Sequence, residues 1–294
     1  MTDHLTAGVR QWQQGGSMVE INGRRLFVRE QAGEGPLLVF LHGFPSSSYD
    51  WRFVLDLLPG RRALLADFLG FGLSEKPREH VYSLAWQADA IEDLVRRAGS
   101  PPAFLVAHDM GTSVATELMA RELRGELDLE IGGALLFNGS ILLDRANPTP
   151  GQRLLRSRGG ALFARLTSEP TFRLQFARIF SASHPLTRAE AADQWALLRH
   201  NDGHRVAHRT IYYMDERARL TERWHGAFRD WPGALSLAWG LQDPVARIAV
   251  LEGLRELRPG VPVRELAELG HDPQIERPAA IVEAIAEAEA RSAA

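Results

Sequence analysis

Ala107-His108-Asp109-Met110-Gly111 sets an acidic side chain between small residues, where an apolar strand-like run gives way to a helical pattern. A side chain on so sharp a turn stands clear of its own backbone, and the small flanking residues let the turn close. A serine there would need a base to deprotonate it, whereas a carboxylate is already ionised near neutral pH. A carboxylate suits attack on a saturated carbon that carries a strained ring or a good leaving group. Two more residues could complete its chemistry: Asp243 in Trp239-Gly240-Leu241-Gln242-Asp243-Pro244, and His271 in Leu269-Gly270-His271-Asp272-Pro273. Each alone has a plainer reading, since Asp-Pro commonly makes a turn and a loop histidine commonly lies on the surface. Together, in the order nucleophile, acid, histidine and each at the end of an apolar run, they fit an acid–base relay. His42-Gly43-Phe44-Pro45 adds an independent part. The backbone N–H groups of Phe44 and of Met110, the residue after the acid, could hold a developing oxyanion.

These residues need a scaffold, and the apolar patterning supplies one. Met18 to Glu30 reads as a hairpin about Asn22-Gly23, a preferred type I′ turn. Pro36–Leu41, Arg62–Asp67, Ala103–Ala107, Ile131–Phe137, Ala234–Trp239 and Val263–Leu266 read as strands, several of them apolar on both faces. Helical spacing follows at Leu84–Ala98, after Asp109, at Ile248–Leu257 and at Pro278–Glu289. From Leu142 to about Asp230 the strand rhythm stops. Helical patterns replace it at Leu154–Leu166, Phe172–Phe180, Ala189–His200 and His204–Trp224. The reading is an α/β core, residues 18–141 and 231–294, interrupted by a helical cap, residues 142–230, with an N-terminal arm, residues 1–17, mobile or loosely docked. In a mainly parallel sheet covered by helices, function gathers at the carboxyl ends of the strands.

Bulk composition narrows the classes further. The 294 residues are 45% hydrophobic and 24% charged, ordinary for a globular protein. Net charge is 34 − 37 = −3, which argues against nucleic-acid or anionic-membrane partners. Cysteine is absent, excluding disulfides and thiolate chemistry. No apolar run approaches the ~20 residues of a membrane span, and the first residues lack a secretory signal pattern. A cytoplasmic protein without cofactor or metal is the simplest expectation, because no His and acid residues fall at ligand spacing. Monomer and homodimer are equally compatible with the sequence.

The stretches HGFP (His42–Pro45), DFLGFGLSEKP (Asp67–Pro77), AHDMG (Ala107–Gly111), WGLQDP (Trp239–Pro244) and GHDPQIERP (Gly270–Pro278) resemble the α/β-hydrolase superfamily. Within it they are similar to the epoxide hydrolase and haloalkane dehalogenase branch. HGFPSSSYDW, DFLGFGLSEKP and Asn201-Asp202-Gly203 resemble the epoxide-hydrolase-like mesoderm-specific transcript protein group more closely. The resemblance implies a mostly parallel eight-stranded sheet with helices on both faces and an inserted helical cap. It also implies a covalent ester on Asp109, hydrolysed by water that His271, oriented by Asp243, activates.

The leaving group separates the two chemistries. An epoxide oxygen needs an acid, which the resemblance places in cap tyrosines; a halide needs N–H donors, such as a tryptophan next to the nucleophile. Here Met110 follows Asp109, and Phe44 stands where many dehalogenases carry asparagine. Both departures favour an epoxide hydrolase acting on a small hydrophobic epoxide and water. A haloalkane or haloacid dehalogenase, or a fold kept as a binding module, is the alternative. Tyr213 occupies the position of the ring-opening acid, and Tyr212 points about 100° away on a helix. Family members usually offer tyrosines from two cap helices, and the first cap segment here has none. One of His184, His200, His204 or His208 could assist, although surface placement is the simpler reading of all four. His42 and His108 are expected to bond loop backbone, and Tyr49, Asp50 and Trp51 to pack beneath the His-Gly-Phe-Pro turn. Asn138 lacks the charge to serve as relay acid. Phe163, Phe172, Phe176, Phe180 and Trp195 are expected to form the cap's own core rather than line a pocket.

Overall fold

The computed structural model describes residues 4–293, so the first three residues of the arm lie outside it. Eight strands form one sheet: β1 (Ser17–Ile21), β2 (Arg24–Gln31), β3 (Glu34–Leu41), β4 (Arg61–Ala66), β5 (Ala103–His108), β6 (Ile131–Phe137), β7 (Leu235–Gly240) and β8 (Val263–Leu266). Their order is β1-β2-β4-β3-β5-β6-β7-β8. β3 through β8 run parallel, and the β1–β2 hairpin joins antiparallel to β4. Its turn places Asn22 at φ 49° and Gly23 at φ 72°, the left-handed pair that a type I′ turn demands. Every residue of β5 and β7 is buried, as expected where helices cover both faces.

Side-chain alternation in β3 divides the core. Leu37, Val39 and Leu41 pack on one face with the helices Leu84–Arg97 and Met110–Glu122. Leu38 and Phe40 pack on the other with Val54, Ile281 and Ile285. The carboxyl ends of β3, β5, β7 and β8 thus lead into the four loops that carry Phe44, Asp109, Asp243 and His271.

Between β6 and β7 the described chain is helical, without strands. The spacing predicts a single helix over Leu154–Leu166, but the structure breaks it into Pro150–Arg156 and Gly160–Leu166. Gly160 makes the break possible, because a Cβ there would lie 2.0 Å from the Leu155 carbonyl oxygen. The pattern at His204–Trp224 likewise divides into Ala207–Thr210, Tyr213–Arg219 and Thr221–Asp230. Each short helix turns its own apolar side inward: Ile211, Tyr213, Met214, Trp224 and Phe228 are all buried. No helix among the described residues is long and apolar enough to cross a membrane.

The described part of the arm is docked, where the sequence predicts a mobile or loosely docked segment. Ala7–Gln14 is a helix whose Thr6 cap accepts the Val9 N–H. Leu5, Val9 and Trp12, spaced along one helical face, join the core. Trp12 meets Tyr49 edge-on at 5.8 Å. The Tyr49 hydroxyl in turn donates to Asp193 of the helix Arg188–Arg199 at 2.7 Å. The arm therefore ties core to cap. Trp12→Ala should destabilise the protein by about 3 kcal/mol, read as a lower unfolding midpoint in denaturant; an unchanged midpoint would restore the loose arm.

Candidate active site

β5 ends at His108, and Asp109 then turns the chain at φ 44°, ψ −110° into the helix Met110–Glu122. Such a conformation costs a non-glycine residue about 1–3 kcal/mol. Burial of β5 and of residues Met110 through Ala120 holds it in place. The turn closes against β3, where a Cβ on Gly111 would come 2.3 Å from the Leu41 carbonyl oxygen. Gly43 faces the turn for a similar reason: its Cβ would meet that of Asp109 at 2.8 Å. The two glycines bring the loop after β3 onto the carboxylate. The Phe44 N–H donates to Asp109 Oδ2 at 2.9 Å, and the Phe44–Pro45 peptide is cis. Met110 begins its helix, so its N–H is one of those without an intrahelical acceptor.

Asp243 and His271 meet although their loops follow different strands. His271 Nδ1 lies 2.7 Å from Asp243 Oδ2. Asp243 accepts three further bonds, from Asn138 Nδ2 at 2.8 Å and from the Val245 and Ala246 N–H groups at 2.6 and 3.0 Å. Burial alone would raise its pKa; the neighbouring imidazolium and these donors outweigh burial and hold it below the usual carboxylate range. For His271 burial again opposes ionisation, but Asp243 lifts the pKa to about 10, with Asp272 and Asp109 adding. Asp272, next in sequence, is pushed well up by burial, and the like charge of Asp50 adds to this. Of the two acids beside His271, Asp243 is the one held below the usual carboxylate range and Asp272 the one pushed above it. Asn138 sits where a relay acid could stand and instead donates to one.

The other histidines of the loops bond backbone, in accord with the sequence reading. His42 contacts the Gly43 carbonyl at 2.8 Å and accepts the Phe68 N–H at 2.9 Å. His108 Nε2 bonds the His271 carbonyl oxygen at 2.7 Å, and Gln274 Nε2 donates to its Nδ1 at 3.2 Å. Burial lowers His42 to about 3 and His108 to about 4, so both are neutral. Tyr49, Asp50 and Trp51 lie buried in the turn that follows Phe44.

The cap covers the site and is tied to it. The Ile179 carbonyl accepts the His271 N–H at 2.9 Å. Arg223 Nε and Trp224 Nε1 each donate to Glu117 Oε2 of the elbow helix at 2.9 Å. The helix between these anchors carries Tyr213, which is 2% exposed and packs 5.7 Å from Phe44. Burial and the Asp109 charge push its pKa up, while Arg217 and Arg156 pull the other way. Tyr212 is 51% exposed, turned away from the site.

A cavity of about 740 Å³, mouth included, lies between cap and core, with Phe44 and His271 in its wall. Asp109, beside those two residues, is only 4% exposed. Phe163, Phe172 and Phe176 line the cavity, and Phe172 and Phe176 also form a buried apolar cluster with Ile179 and Val245, as their spacing suggests; Phe163 is the one of the three that the cluster leaves out. The same helix faces thus serve both the cluster and the cavity wall. Phe180 and Trp195 do pack behind them, as expected. His204 also lines the cavity, while Gln152 and Gln175 add polar groups.

Sequence reasoning missed Arg217. Its side chain is 3% exposed, with Nη2 3.8 Å from Asp109 Oδ1 and donating to the Asp109 carbonyl oxygen at 3.1 Å. Its position four residues after Tyr213, one helical turn away, was the available signal.

Comparison with known proteins agrees with this geometry. A family model described as alpha/beta hydrolase fold matches residues 36–278. The LipZ protein of Mycobacterium tuberculosis is 51% identical over 276 residues, 94% of this chain and 96% of that protein. The mesoderm-specific transcript protein of Mus musculus is 33% identical over 286 residues, covering 93% of this chain and 85% of the relative. The solved structure of the haloalkane dehalogenase DatA from Agrobacterium tumefaciens C58 is similar with a TM-score of 0.77 and 20% identity, covering 94% of this chain and 96% of that one. Sheet order, strained elbow and sequence match converge on one conclusion: the chain belongs to the α/β hydrolase fold family.

Proposed function

We propose that this hydrolase opens epoxides to vicinal diols through an ester on Asp109. The observation that carries the reading is the pairing of an elbow carboxylate with a buried tyrosine, Tyr213, on the cap above it. Asp109, fixed through Oδ2 on the Phe44 amide, attacks a ring carbon with Oδ1; the C–O bond breaks and Tyr213 protonates the departing oxygen. Water then attacks the ester carbonyl as His271 takes its proton, and the Phe44 and Met110 amides hold the oxyanion. Collapse expels the diol oxygen, which is protonated by His271, and restores Asp109. Displacement of halide by the same carboxylate is the second chemistry. The cavity wall counts against it, because it contains no tryptophan to supply an indole N–H. The aromatic wall favours a hydrophobic epoxide.

The charge arrangement separates the two half-reactions. In the resting enzyme Asp109 helps keep His271 protonated. Esterification removes that negative charge, so the histidine pKa falls and the ring gives up its proton more readily when water must be activated.

Three outcomes follow. Incubation of His271→Gln with styrene oxide should leave one added epoxide mass on the Asp109 peptide; no adduct with any epoxide in a panel, or halide release from haloalkanes instead, would overturn the reading. Tyr213→Phe should slow ring opening by on the order of 10², while Tyr212→Phe leaves the rate unchanged; equal rates for all would return Tyr213 to packing. Lowering the pH protonates His271 in the ester form, so hydrolysis should slow before alkylation does. Quenched-flow mass spectrometry would show the steady-state ester fraction rising as pH falls, and a constant fraction would contradict the assignment of the base.

A further inference from the structure

We infer that Arg217 takes the place of a second ring-opening tyrosine, holding the negative charge as it passes from Asp109 to Tyr213. The inference rests on the epoxide reading above. Arg217 and Tyr213 share one face of the helix Tyr213–Arg219. Arg217 Nε donates to Ser113 Oγ at 2.9 Å, and Nη2 donates to the Asp109 carbonyl oxygen at 3.1 Å. These two bonds anchor the fork in the elbow helix. They leave Nη2 3.8 Å from Asp109 Oδ1 and the guanidinium carbon 4.6 Å from the Tyr213 ring centre, within cation–π range. Among the described residues, Asp109 is the one carboxylate in ion-pair range of it.

The electron count explains why a cation belongs there. As the Asp109 oxygen bonds to carbon, the carboxylate becomes a neutral ester. As the epoxide C–O bond breaks, the departing oxygen takes the Tyr213 proton and leaves a phenolate. One negative charge has moved from Asp109 to Tyr213, and Arg217 touches both ends of that path. A guanidinium does not give up its proton at working pH, so Tyr213 is the donor and Arg217 acts through it as a positioning residue. Because the cation is fixed beforehand, no dipole has to reorganise when the charge shifts. Of the two protons of the attacking water, one reaches the diol oxygen through His271 and the other passes from the regenerated Asp109 carboxyl to the phenolate, so the cycle closes as epoxide plus water to diol. Two other charges face Tyr213. Asp109 opposes its ionisation until the ester forms, and Arg156 favours it but is already engaged by Asp215 at 2.6 Å. Esterification releases Arg217 from its carboxylate to the phenolate.

The test is single-turnover alkylation of Asp109 by styrene oxide in the His271→Gln background, followed by intact mass against time. Arg217→Met should slow alkylation by on the order of 10², and Arg217→Lys, which keeps the charge without the fork, should recover part of the loss. Added to Tyr213→Phe, Arg217→Met should cost little more, because one residue acts through the other. Thermal melts of each variant identify any that fail to fold, and Arg217→Lys carries the comparison if Arg217→Met is among them. An unchanged rate without Arg217, no recovery by lysine, or losses that multiply independently would overturn the assignment. Absence of any epoxide adduct with Arg217 and Tyr213 both intact would instead bring down the epoxide reading itself.

Discussion

The whole arrangement depends on a single unfavourable turn. Asp109 adopts positive φ so that its carboxylate leaves the line of β5 and meets the Phe44 amide. The protein meets that strain with two deeply buried elements, β5 and the helix that follows. Gly43 and Gly111 are the local condition, since a side chain at either would collide with the turn it supports. A loosened elbow would lose the position of the Asp109 carboxylate and the Phe44 amide bond to it together.

Core and cap then divide the chemistry. The core presents Asp109, Asp243 and His271 from the ends of parallel strands, held by backbone and by Asn138. In the proposed chemistry these parts make and hydrolyse the ester but do not choose what leaves. In the same proposal Tyr213 and the cavity wall make that choice, and the anchors of the cap run to the same core loops: Ile179 to His271, Arg217 to Ser113 and the Asp109 carbonyl. Movement of the cap would therefore disturb the relay as well as the pocket. The arm, whose Thr6 hydroxyl donates to Asp193 of the cap, resists such movement.

Legibility in the sequence followed the physics of each part. A strand covered on both faces must be apolar throughout, so β3, β5, β6 and β7 stood out, and the polar residues that end them pointed to the site. The hairpin turn was equally plain because Asn22-Gly23 has few alternatives. The cap was harder. Phe163, Phe172 and Phe176 have the same helical spacing whether they bury against protein or enclose a cavity, and in the folded protein Phe172 and Phe176 do both. Arg217 was hidden because an arginine on a polar helix reads as solvated until the cap is docked. The arm's Val9 and Trp12 were too few to mark a docked helix without the groove that receives them.

The covalent ester is the central claim, and the fate of water oxygen tests it most directly. A single turnover of an epoxide by excess wild-type enzyme in heavy-oxygen water should place the label in the Asp109 carboxylate and yield unlabelled diol, because water attacks the ester carbonyl rather than the substrate carbon. Label appearing in the diol of that first turnover, with none in Asp109, would show that water opens the ring itself and would contradict the account.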